Sequence, residues 1–73
     1  MNSDKLKGFL KEKKKTYKEC ADVLKISEYQ FGKKVNGEVG FWMQELATLS
    51  GFLHMSEKKF FEIFFPELYG NEK

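Results

Sequence analysis

The stretch that most constrains the fold runs from residue 16 to residue 37, where two short helix patterns follow each other with a tight connection between them. Its sequence is TYKECADVLKISEYQFGKKVNG. Thr16 and Glu19 have the S/T-x-x-E spacing of a capping box, which predicts a helix start. The apolar residues that follow fall on one helical face: Cys20, Ala21, Val23 and Leu24.

The second helix pattern begins after Lys25-Ile26, which breaks the period of the first. Ser27 and Gln30 again have capping-box spacing and predict a second helix start. Phe31 and Val35 are four residues apart and share the inner side of that helix. Asn36-Gly37 predicts its end, because both residue types tolerate the left-handed conformation common at helix ends.

This layout resembles the helix-turn-helix of the phage repressor and Cro family, whose pattern is roughly T-x-x-E-L-A-x-x-L-G-I-S-x-x-T-[IF]-S-x-x-[IL]-N-G. The matching residues stand in register without a gap: Thr16, Glu19, Ala21, Leu24, Ile26, Ser27, Phe31, Val35, Asn36 and Gly37. The later stretch FWMQELATLSGFLHMSEKKFFEIFF is similar to the second half of small phage regulators. The resemblance covers about residues 5 to 65. It implies an all-α, five-helix domain of the lambda-repressor type over residues 1–73, with a short tail at 67–73.

The composition indicates a small folded domain. The chain has 73 residues, of which 41% are hydrophobic and 33% charged, a balance typical of globular proteins. A domain of this size buries a modest core, so a homodimer would support it. The sequence predicts no secretory leader, no membrane span, no internal disulfide and no metal site of Cys and His residues. We therefore expect a cytoplasmic protein, and the resemblance to phage regulators implies a bacterial host.

Positive charge is concentrated in the first half of the chain. Residues 5–34 hold ten lysines and four acids, whereas residues 35–73 hold three lysines and six acids. The basic half contains both helix patterns, as an electrostatic footprint for DNA phosphate would require. The alternative is a solvated lysine face with no partner.

The resemblance implies that the second helix of the pair enters the major groove of DNA. The outward positions that would contact bases are Glu28, Tyr29, Gln30, Gly32 and Lys33. Glutamine pairs with adenine, lysine with guanine, and glutamate with the cytosine amino group. The candidates for backbone contact are Lys14, Lys15, Tyr17, Lys18, Lys34 and Asn36. For the lysines near residue 14, stabilisation of a helix C-terminus is an equally good explanation.

The remaining helices are predicted at about residues 4–14, 42–52 and 57–65, with Ser3 or Asp4 capping the first and Pro66 ending the last. Residues 60–65 contain five apolar side chains in six positions, too many for one buried stripe. The surplus predicts an interface, with the candidates Trp42, Phe61, Ile63 and Phe65. Trp42 stands where the family has a capping Ser or Thr, and packing over Phe41 or Val39 is its alternative role.

No catalytic constellation is visible, since His54 stands alone and Cys20 fits a buried thiol. We therefore predict a Cro-like phage or prophage transcription regulator that binds operator DNA as a dimer. It would need no enzymatic activity, cofactor, metal or small-molecule substrate. The alternative is a modulator or antirepressor on the same fold that binds a CI-type repressor protein, which Trp42 and the Phe-rich fifth helix favour.

Overall fold

The computed structural model describes residues 1–70, with side chains described through residue 68. This part of the chain is all-helical, as predicted. Its helices are α1 (Ser3–Glu12), α2 (Tyr17–Leu24), α3 (Glu28–Val35), α4 (Met43–Phe52), α5 (Glu57–Phe64) and α6 (Pro66–Gly70). The Cα radius of gyration is 11.7 Å. None of the described helices is both long and apolar enough to cross a bilayer.

Helix α1 begins and ends earlier than predicted. Its N-cap is Asn2, whose side-chain oxygen accepts a hydrogen bond from the Lys5 N–H at 3.1 Å. The prediction of Ser3 or Asp4 as the cap is therefore wrong, because asparagine serves equally well one residue upstream. The helix ends at Glu12 rather than near residue 14, since Lys14 has φ +59° and leaves the helical conformation.

Four helix ends share one motif, in which a residue with positive φ follows the last turn. After α2, the Ile26 N–H donates to the Ala21 carbonyl at 3.0 Å and the Lys25 N–H donates to the Asp22 carbonyl at 3.1 Å. Equivalent pairs of bonds close α1, α3 and α4. The residues with positive φ are Lys14, Lys25, Gly37 and His54. Three of these four are not glycine, yet the predicted ends of α2 before Lys25 and of α4 at residue 52 agree with the structure, and the predicted end of α1 does not.

The C-terminal part of the chain corrects the predicted five-helix count and the predicted tail. Proline fits the first position of a helix, where its missing N–H leaves no bond unmade. Pro66 therefore ends α5 at Phe64 and starts the additional helix α6. Of the residues predicted as a tail, 67–70 are helical, and 71–73 lie outside the described residues.

The core is built from all five longer helices. Its fully or nearly fully buried members are Leu6, Phe9, Leu10, Cys20, Ala21, Phe31, Val35, Leu46, Leu49, Leu53, Ile63 and Phe64. An edge-to-face series of rings runs through it, with Phe31 5.4 Å from Tyr17 and 6.1 Å from Phe41 between ring centroids. The predicted inward positions Phe31 and Val35 are confirmed, because both are completely buried.

Helix α5 corrects one interface candidate. Ile63 is completely buried in the core, and the backbone N–H of Asn2 donates to its carbonyl at 2.7 Å. The prediction that Ile63 lies in an interface is wrong, because α5 packs this face against α1. Phe61 and Phe65 are half-buried, with their ring centroids 6.0 Å apart.

Candidate nucleic-acid interface

Helix α2 starts at a complete capping box, as predicted. The Thr16 hydroxyl accepts from the Glu19 N–H at 3.1 Å, and the Glu19 carboxylate accepts from the Thr16 N–H at 2.8 Å. The backbone hydrogen bond from Thr16, assisted by the positive charge of Lys15, lowers the pKa of Glu19. These reciprocal bonds satisfy the backbone N–H groups of Thr16 and Glu19 at the start of α2.

Helix α3 is capped from one side. The Ser27 hydroxyl accepts from the Gln30 N–H at 3.1 Å. A full capping box would also have the Gln30 side chain bonded to the Ser27 backbone, but α3 has only the serine half. The predicted helix start is confirmed, and the Gln30 amide is exposed at the surface beside the start of α3.

The predicted base-contact residues lie around the exposed side of α3. Tyr29, Gln30 and Lys33 face away from Phe31 and Val35, whereas Glu28 and Gly32 lie beside that buried pair, on the side of Tyr17. Glu28, Tyr29 and Gln30 are exposed, and Gly32 and Lys33 are half-buried. The Lys33 ammonium lies 5.2 Å from the centre of the Tyr29 ring, a cation–π contact that orders both side chains. The structure thus brings these candidates together on one accessible surface.

The predicted backbone contacts are divided among different environments. Lys14, Lys18 and Asn36 are exposed, with Lys18 3.6 Å from the Asp22 carboxylate. Tyr17 is half-buried with its ring edge against Phe31, so much of its side chain serves the core. The Lys15 ammonium lies 4.9 Å from the Phe52 ring centre, which draws it towards the end of α4.

The structure corrects the prediction that Lys34 contacts the DNA backbone. Its side chain is only 7% exposed, and its ammonium lies 3.1 Å from the Glu45 carboxylate. It also donates to the Gly40 carbonyl at 2.8 Å. A buried, paired ammonium cannot reach a phosphate at the surface, so Lys34 is not a backbone contact. Its burial depends on the approach of α4, which local sequence spacing does not contain.

Large apolar side chains border the outward face of α3. The sequence predicted a surface role for only two of them, Tyr29 and Trp42. Tyr29 and Trp42 are 72% and 73% exposed, and Met43 and Val39 are also exposed. We call Tyr29, Val39 and Trp42 the apolar rim. Tyr29, Val39 and Trp42 line a groove of about 530 Å³ between α3 and the start of α4. Trp42 does not bury itself over its neighbours, and a signal for Val39 and Met43 was present in the apolar composition of residues 39–43.

The charge on this surface is nearly balanced. Exposed Lys25 and half-buried Lys33 are accompanied by exposed Glu28 and Glu38. The lysine excess of the first half lies mainly on α1 and the turn after it. The exposed lysines there are Lys5, Lys7, Lys11, Lys13 and Lys14. Phosphate attraction would therefore come from the α1–α2 end of the surface rather than from α3.

The described residues contain no group of three or more His, Cys, Asp or Glu side chains that could hold a metal ion. Cys20 is buried, and burial raises the pKa of its thiol to about 11. No protein-family model, curated protein or solved structure matches this chain.

Proposed function

We propose that this chain is a helix-turn-helix regulator that binds double-stranded DNA through α3, in the manner of a small phage or prophage Cro-like protein. The observation that carries the proposal is the outward face of α3. Polar and aromatic side chains are accessible there, while Phe31 and Val35 anchor the other face in the core. An α-helix presented in this way fits the major groove of B-form DNA.

The residues of α3 have distinct roles in this proposal. The free Gln30 amide pairs with adenine, Lys33 donates to guanine, and Glu28 accepts from the cytosine amino group. Tyr29 packs on a thymine methyl group. Half-buried Gly32 keeps the helix surface low, so that bases can approach its backbone.

Phosphate contacts come from both ends of the α2–α3 unit. Lys14 and Lys18 lie around the start of α2, and Asn36 lies at the end of α3. Such contacts fix the register on the duplex and make affinity depend on salt. The proposal includes no enzymatic step and no cofactor.

A twofold dimer completes the proposal. Phe61 and Phe65 contact each other with inclined rings whose centroids are 6.0 Å apart. Both are half-buried, and Leu68, three residues after Phe65, is 60% exposed. A second copy packed on this surface would remove it from water. Two copies of α3 would then meet two half-sites of an operator in the cytoplasm of a bacterial host.

A gel shift with the duplex DNA that flanks the chain's own gene tests the proposal. We expect a complex whose affinity falls steeply with salt and weakens in Lys33→Ala. Lys58→Ala, which removes an exposed lysine near the start of α5, is the matched control and should change affinity less. Absence of a complex at low salt, or equal effects of both substitutions, would contradict the proposal.

The apolar rim favours a second candidate function, in which the same fold binds a CI-type repressor protein as a modulator or antirepressor. Exposed aromatic side chains in a groove are typical of protein interfaces, and the balanced charge around the outward face of α3 suits a protein better than phosphate. Titration calorimetry with the neighbouring repressor tests this candidate. It predicts binding that Trp42→Ala removes, whereas a pure DNA-binding protein would show no heat of binding.

A further inference from the structure

The side chains of Lys34 and Glu45 form an ion pair in the interior, between α3 and α4. The lysine ammonium and the glutamate Oε1 are 3.1 Å apart, and the two side chains are 7% and 16% exposed. Removing two charges from water costs nearly as much as their attraction returns, so a buried ion pair is a weak source of stability. The position of this pair therefore points to a different role.

The pair holds the part of the α3–α4 connection that directly precedes α4. The Lys34 ammonium donates to the Gly40 carbonyl at 2.8 Å. The same Glu45 oxygen that faces Lys34 accepts from the Trp42 backbone N–H at 2.9 Å. Residues 40–42 are thus tied to α3 through Lys34 and to α4 through Glu45.

Besides these bonds, the ring of Phe41 holds the middle of this segment, since it lies 6.1 Å from Phe31 and 5.7 Å from Phe64 between ring centroids. The first part of the connection is held by backbone bonds, in which the Glu38 and Val39 N–H groups donate to the Lys33 carbonyl at 2.9 and 3.4 Å. Trp42 is 73% exposed, so packing of its side chain adds little. The placement of Trp42 across the groove from Tyr29 therefore depends on its backbone, which is held by the bond to Glu45 and by the packing of its neighbour Phe41.

We infer that Lys34 and Glu45 are positioning residues that lock residues 40–42 beside α3. Trp42 and the outward face of α3 then meet duplex DNA as one preformed surface, with no ordering of the connection on binding. This inference rests on the proposed DNA-binding function. It assigns to Lys34, which cannot touch DNA itself, an indirect part in recognition.

Three variants test the inference. Lys34→Met with Glu45→Met removes both charges, leaves no unpaired charge inside, and removes the acceptor of the Trp42 N–H. Lys34→Arg keeps donors for Gly40 and Glu45 and is the rescue variant. Lys7→Met is the control for loss of one exposed lysine. Trp42 is the single tryptophan of the chain, so its fluorescence anisotropy decay reports the motion of the connection directly, in the free protein.

We expect the double variant to unfold at nearly the wild-type temperature, because replacing a buried ion pair by neutral groups is often close to neutral. The fast component of its anisotropy decay should increase, and its affinity for duplex DNA should fall about tenfold. Lys34→Arg and Lys7→Met should match the wild type in anisotropy decay.

Several results would overturn the inference. A folded double variant with the wild-type anisotropy decay would show that the pair does not hold Trp42. If Trp42 moved more in the double variant but its affinity for duplex DNA were unchanged, the order of the α3–α4 connection would have no part in DNA recognition. An unfolded double variant would assign the pair to stability instead. A wild-type chain that binds no duplex would overturn the proposed function, and the anisotropy decay would still decide whether the pair positions Trp42.

Discussion

At the scale of single residues, Phe31 has the most demanding position. It is completely buried on the inner side of α3 and makes edge contacts with Tyr17 and Phe41. Replacing a buried phenylalanine by alanine removes its packing and leaves a cavity. We expect Phe31→Ala to cost about 3–5 kcal/mol of unfolding free energy, measured by urea denaturation. Tyr29→Ala, on the exposed side of the same helix, is the control and should cost far less.

Lys25 adopts a left-handed conformation at φ +61° after α2. That conformation costs an L-residue about 1–2 kcal/mol relative to glycine, partly offset by the greater freedom of unfolded glycine. Lys25→Gly should therefore raise the unfolding free energy by up to about 1 kcal/mol in denaturant titrations. Lys18→Gly, inside α2, should lower it by about 1 kcal/mol. A loss of stability in Lys25→Gly would mean that its side chain contributes more than the strain costs.

Cys20 makes the free energy of unfolding depend on pH in the alkaline range. Burial raises the pKa of its thiol from 9.0 to about 11, so the folded chain holds the proton more tightly than the unfolded chain. The stabilisation that comes from keeping the buried thiol protonated is complete below pH 9.0 and is lost as pH rises through about 11. Cys20→Ala should flatten the fall in unfolding free energy over that range relative to the wild type. Equal slopes for both chains would contradict the assignment.

At the scale of helices, three starts could be located from capping residues, whereas the left-handed conformations that close two of the helices could not. Thr16, Ser27 and Ser56 cap α2, α3 and α5 through bonds that reach three residues along the chain, so sequence spacing is sufficient to find them. The left-handed conformations of Lys14 and His54 follow no residue preference and depend on how consecutive helices pack.

In the candidate site, too, features fixed by local sequence could be predicted, and features fixed by the packing of distant helices could not. The outward face of α3 could be predicted, because it lies opposite the apolar pair Phe31 and Val35. The burial of Lys34 and the exposure of Trp42 could not, since both depend on where α4 meets α3. The place of Ile63 depends in the same way on the packing of α5 against α1.

Replacing Gly32 by alanine should change both the stability of helix α3 and its proposed contact with DNA. A Cβ added there would lie 3.9 Å from the Tyr17 ring, an ordinary contact. Gly32→Ala should therefore stabilise the helix by up to about 1 kcal/mol. In the DNA-binding proposal it should also weaken the complex, because the added methyl group lies on the face that bases approach. A variant that gains stability and keeps full affinity would show that Gly32 does not approach DNA.

At the scale of the whole molecule, the proposed dimer surface and the outward face of α3 involve different helices, so they can be tested separately. Phe65→Glu should give a monomer by sedimentation velocity and weaken DNA binding, because two linked half-sites bind far more tightly than one. Phe65 is half-buried, so thermal unfolding must show that the variant is folded. Phe61→Glu provides a second probe of the same surface. A wild-type chain that is monomeric at micromolar concentration would contradict the dimer.

The most direct test of the central claim is selection of duplexes from a randomised pool by the wild-type chain, followed by titration of the enriched duplex with wild type and Gln30→Ala. If α3 contacts base edges, a defined sequence is enriched, its affinity falls linearly with salt on logarithmic axes, and Gln30→Ala loses about 1–3 kcal/mol on that sequence. Binding of random duplex should change little in that variant. Failure to enrich any sequence, or equal affinity of both chains for the enriched duplex, would contradict the claim.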